Sequence, residues 1–150
     1  MLEKTDAEVL AQRERIAARV REELVAAGLP VLAPGVNPLL SRGVEVTVDP
    51  FDDAAGGVSV GWRSSPRLHS CVRRAAQHNL RDDPALAHQK VVLEGMLAAI
   101  TAILRSAGFT VRDSLNDYAP FTVQVPAGPG GRPSWVPGEE EADVHLTTTH

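Results

Sequence analysis

The chain has 150 residues, of which 43% are hydrophobic and 23% charged, with a net charge of −4. This composition is ordinary for one soluble globular domain, long enough to bury roughly 70% of its unfolded surface without disulfides or metals. The acidic balance disfavours non-specific nucleic-acid binding, which a basic surface drives.

The first element is a helix running to about Ala27, capped by Thr5 or Asp6, with Thr5 and Glu8 at capping-box spacing. Val9, Ile16, Val20, Leu24 and Ala27 share one of its faces, and Arg13, Arg15, Arg19, Glu22 and Glu23 the opposite one. Gly28 and Pro30 stop it. An irregular crossing from Leu29 to Arg42 has room for one short strand. Strict alternation then marks two strands, about 43–49 and 57–63, joined by a loop that holds Asp52, Asp53 and the Gly56-Gly57 pair.

Ser65 caps a second helix with Pro66 at its first position, running to about Asn79. Asp82 or Asp83 caps a third, from about Pro84 to Ala107, where Gly108 stops it and Phe109 folds back on the last turn. This third helix is the most apolar element. Leu86, Leu93, Leu97, Ile100 and Leu104 form one stripe, and Val92, Met96, Ala99 and Ile103 a neighbouring one. Together they are wider than the roughly 100° stripe that one sheet contact needs. A strand near 109–114 and another over Phe121–Val125 complete the domain. From Pro126 the chain turns Gly- and Pro-rich, then acidic at Glu139–Glu141, with Trp135 and Val136 as an apolar anchor suited to docking on the domain or a partner.

Strands that alternate are apolar on one face only, so the expected fold is α+β. It is a two-layer sandwich, a mainly antiparallel sheet of four or five strands with three helices on one face. The domain spans 1–127, followed by a flexible tail, 128–150. Val46, Val60, Leu93, Leu97, Ile100 and Val123 are the expected core. Leu24-Val-Ala-Ala-Gly28-Leu-Pro-Val31 echoes Leu104-Arg-Ser-Ala-Gly108-Phe-Thr-Val111, as helix-to-strand junctions do when they converge on Ala-Gly-apolar.

Candidate chemistry is sparse. Cys71, the only cysteine, lies early in the second helix near His69, but two residues separate faces by about 200°, so the pair does not converge. Free cysteine is usually buried, which makes a structural, dispensable thiol the expectation. His69, His78 and His88 lack the spacing that puts two ligands on one helical face, so no metal and no cofactor is expected. Asp49, Asp52 and Asp53 lack the ordered ligand series of a calcium loop.

Arg63, Arg67, Arg73, Arg74 and Arg81 form the densest positive set, able to receive phosphate or an acidic partner. The polar sheet face should carry Glu45, Thr47, Ser59, Arg63, Arg112, Thr122 and Gln124. The binding candidates are therefore Arg63, Arg67, Arg73, Arg74, Arg112 and Gln124. The interface candidates are Val92, Met96 and Ile103, because the surplus apolar width of the third helix asks for a partner.

The lone thiol fits a reducing cytoplasm. Neither a secretory signal nor an apolar run of roughly 20 residues is apparent, and membrane association is not expected. Thirteen Arg against two Lys is the codon signature of a GC-rich bacterial genome. The function these features suggest is a non-catalytic binding or accessory protein that self-associates as a homodimer and acts through protein–protein contacts. The alternatives are a small enzyme using Cys71 or a histidine, and a regulator binding phosphate or nucleic acid through the Arg-rich second helix.

Overall fold

Capping and alternation place the elements where the residues demand them. The computed structural model describes residues 7–36, 41–49, 57–113, 121–133 and 135–137. Its order is α1 (Ala7–Ala26), β1 (Gly43–Asp49), β2 (Gly57–Arg63), α2 (Pro66–Gln77), α3 (Pro84–Ser106), β3 (Thr110–Asp113) and β4 (Thr122–Ala127). Ser65 caps α2 by accepting from the Leu68 amide at 3.5 Å, and Asp83 caps α3 by accepting from the Ala85 amide at 2.8 Å. The cap expected at Thr5 or Asp6, the hairpin loop with Asp52 and Asp53, and the acidic run lie outside the described residues.

The four strands form one antiparallel sheet in the order β1-β2-β4-β3. The fold is α+β, as the alternation implies. α1 lies over β1 and β2, α3 lies over β2, β4 and β3, and α2 packs on α3. The crossing after α1 does contribute a short strand: Val31 pairs with Val44 in parallel, with the Val44 amide donating to the Pro30 carbonyl at 2.8 Å. Gly43 makes this approach possible. Its φ is +116°, and a Cβ there would meet the Pro30 carbonyl oxygen at 2.5 Å.

The echoed junctions are one device used twice. The Leu29 amide donates to the Leu24 carbonyl and the Gly28 amide to that of Val25; Phe109 and Gly108 do the same to Leu104 and Arg105. Both are Schellman caps, with Gly28 and Gly108 at φ +95° and +101°. Leu24 and Leu104 are both wholly buried, so the shared motif pins each helix end to the core.

That core gathers Val20 and Leu24 of α1, Ile100 and Leu104 of α3, Phe109, and Val44, Val58, Val60, Val111, Val123 and Val125 of the sheet. Three expected core members, Val60, Ile100 and Val123, belong to it. The other three, Val46, Leu93 and Leu97, are half-buried. The reason is length. A helix of 23 residues is roughly 34 Å long, whereas strands of four to seven residues span at most about 23 Å. Only the C-terminal part of α3 therefore reaches the core, and its N-terminal part overhangs the sheet. Val46 sits in the strand beside the short Val31 segment, at the thinly covered margin.

The faces of α1 also differ from the periodicity. Val9 is 36% exposed, while Glu23, expected on the solvent face, is 7% exposed. Glu23 lies three residues after Val20 and one before Leu24, which turns it toward α3 instead of solvent.

Candidate interaction surface

The overhang of α3 is covered on one side by α2. Leu68, Val72 and Ala75 recur at helical spacing along the less exposed face of α2, and Ala75 is buried. Ser64 Oγ donates to Gln89 Oε1 at 2.9 Å, tying the start of α2 to α3. Among the described residues the rest of the overhang is open. No residue from Pro84 to Ala99 is buried, and Val91 is 64% exposed. Leu80, in the connection between the two helices, is 44% exposed. Lys90 and Glu94, one turn apart, lie 4.0 Å from each other next to Val91.

α3 is also long and apolar enough to cross a membrane by length and composition, and only 6% of its most apolar stretch is buried. Its last turns are fixed in the domain core by Ile100 and Leu104.

Of the interface candidates, Val92 and Met96 are half-buried on the overhang. Ile103 stands apart from them. It packs against the core and lines a cleft of 420 Å³ between α1 and α3, together with Glu23 and Trp135.

The polar sheet face has the expected rows. Thr47, Ser59, Gln124 and Arg112 are opposed across the four strands, so their side chains share a face. Arg112 Nε donates to Gln124 Oε1 at 3.2 Å, and Gln124 is 2% exposed, an unusual burial for the open face of a sheet. Arg63 Nε lies 3.9 Å from Glu45 Oε2, an ion pair too long to be a hydrogen bond. Arg63, Arg112 and Gln124 are thus brought to one face. Arg67, Arg73 and Arg74 stand exposed on α2, and among the described residues nothing bonds them to the sheet set. Cys71 is exposed, contrary to its expected burial, because among the described residues α2 packs chiefly on α3 and Cys71 lies on its more exposed side. Among the described residues no three His, Cys, Asp or Glu side chains gather into a metal-binding group.

Both margins of the sheet are held by arginines from the helices above. Val44 spends its amide and carbonyl on the Val31 segment, so the Val46 carbonyl, two residues on, faces the same margin. Arg21 Nη2 donates to it at 3.3 Å; Arg13 Nη1 donates to the Asp49 carbonyl, at the end of β1, at 2.8 Å. At the other margin Arg105 Nη2 donates to the Val111 carbonyl of β3 at 2.8 Å. Charged side chains bonded along an edge discourage pairing with another strand.

The segment after β4 lies along α1. Arg19 donates to the Pro129 and Gly131 carbonyls, and the Trp135 indole donates to Glu23. Gly128 packs so closely on Phe109 that a Cβ there would sit 2.9 Å from the ring.

Comparison with protein-family models, with curated proteins and with solved structures finds no match to this chain.

Proposed function

We propose that the protein is a non-catalytic binding or accessory protein that works as a homodimer, joined through the α3 overhang and the adjoining side of α2. One observation carries this reading: the most apolar helix buries none of its residues from Pro84 to Ala99. An exposed apolar patch of this kind marks an interface more often than a bare surface.

A second copy of the chain is the occupant the surface suits. With the two-fold axis crossing α3 near Val92, an isologous contact sets the helix antiparallel to its twin, and Lys90 of one copy would then meet Glu94 of the other. The arginine-bonded sheet margins leave the helical face as the route for association. Val92 and Met96 flank the contact, and Ile103 does not take part.

Sedimentation velocity from low to high micromolar concentration tests the reading. The wild type is expected to move from monomer to dimer, and Val91→Arg to remain a monomer with an unchanged circular dichroism spectrum. A wild type that stays monomeric throughout, or that floats with phospholipid vesicles in place of self-associating, would overturn it.

A further inference from the structure

The cleft between α1 and α3 holds a buried carboxylate that makes no ion pair among the described residues. Glu23 is 7% exposed, and its carboxylate has one hydrogen bond among the described residues, from the neutral indole of Trp135. Arg19, one turn earlier on the same helix, spends its guanidinium on the Pro129 and Gly131 carbonyls. Carboxylates this buried are ordinarily paired with a cation. The remaining walls are apolar or small: Ala26, Ala27, Ala102, Ile103 and Ser106. The volume, 420 Å³, falls within the range of small-ligand pockets.

We propose that this cleft binds an ammonium group carried on an apolar stem. A cation beside Glu23 would neutralise the buried carboxylate. The Trp135 ring, 57% exposed at the mouth, offers the aromatic face that attracts alkylammonium groups. Ile103 and the three alanines would take the stem, and the Ser106 hydroxyl would accept from an N–H. An anion is excluded by the charge of Glu23, and a neutral alcohol would leave that charge unpaired. The chemistry is shared by free alkylamines and by the side chain of lysine. Trp135 belongs to the strap held by Arg19, so an occupied cleft would also fix that strap on α1. This inference does not depend on self-association.

The test uses the full chain and the indole N–H resonances of its two tryptophans, assigned with Trp135→Phe. Butylammonium chloride is titrated against butanol, against sodium chloride and against N-acetyl-lysinamide. The Trp135 resonance is expected to shift saturably with butylammonium, with butanol binding at least tenfold more weakly. Glu23→Gln, which keeps an acceptor for the indole, is expected to abolish the shift while the other resonances stay in place. If that variant does not fold, Trp135→Phe monitored by backbone amides is expected to weaken binding severalfold. Tighter binding of N-acetyl-lysinamide would assign the site to a lysine side chain, and tighter binding of butylammonium to a free amine. A non-saturable shift, an equal response to butanol, or undiminished binding in folded Glu23→Gln would each refute the proposal.

Discussion

Truncating Leu104 and Leu97 to alanine separates the two ends of α3 energetically. Leu104 is wholly buried and sits among Leu24, Ile100 and the sheet valines. Leu→Ala at such a site loses the transfer energy of the side chain and leaves a cavity its neighbours fill incompletely, about 3–4 kcal/mol. Leu97 is half-buried and borders an open cleft of 570 Å³, so its removal creates little new void. Its loss should be about 1–2 kcal/mol, chiefly the transfer term. For a domain of this size each kcal/mol lowers the melting temperature by roughly 2–4 °C. The expected shifts are therefore about 6–16 °C for Leu104→Ala and about 2–8 °C for Leu97→Ala, with the pair compared by urea unfolding at low micromolar concentration. Equal losses, or a larger loss at Leu97, would show that α3 is seated centrally on the sheet and does not overhang it.

Three further substitutions probe other parts of the account. Gly43→Ala should cost about 3 kcal/mol in urea unfolding, because φ +116° is strained for alanine and its Cβ would collide with the Pro30 carbonyl. Cys71→Ser should leave stability within about 0.5 kcal/mol of wild type, since the thiol is exposed; a loss beyond that would require the thiol to be packed. Arg105→Ala combined with Arg21→Ala should release two edge carbonyls and promote sheet-mediated aggregation, read by light scattering and a cross-β dye. A double variant as soluble as wild type would show that the margins need no such protection.

Much of this fold is legible in the residues because its signals are local. Ser65-Pro66 and Asp83-Pro84 announce helix starts, Gly28 and Gly108 announce stops, and alternation through Val44–Val48 and Val58–Trp62 gives two strands and their buried faces. What escapes such reading depends on distance in space. Periodicity puts Leu93, Leu97 and Ile100 on one stripe, but only the length of the strands decides which of them meets the sheet. Val31 has no alternating neighbours, so its parallel pairing with Val44 emerges only once Gly43 lets the chains touch. Glu23 reads as solvent-facing because carboxylates usually are; its burial depends on α3 and on Trp135, 112 residues further along. Of that cleft the sequence offered one sign, the apolar anchor Trp135-Val136 in a segment otherwise rich in Gly and Pro. Gln124 likewise looks like a solvated residue of the polar face until Arg112 is laid beside it.

The central claim is that two copies meet through the α2–α3 surface, and the single exposed cysteine gives a direct way to locate that contact. A nitroxide is attached to Cys71 of unlabelled protein, which is then mixed with isotope-labelled protein bearing Cys71→Ser. Paramagnetic broadening in the labelled copy can arise only between molecules. The account predicts concentration-dependent broadening concentrated on amides of Pro84–Ala99 and of α2, with the polar sheet face unaffected. Broadening centred on β1, β3 or the polar sheet face, or none at any concentration, would contradict it.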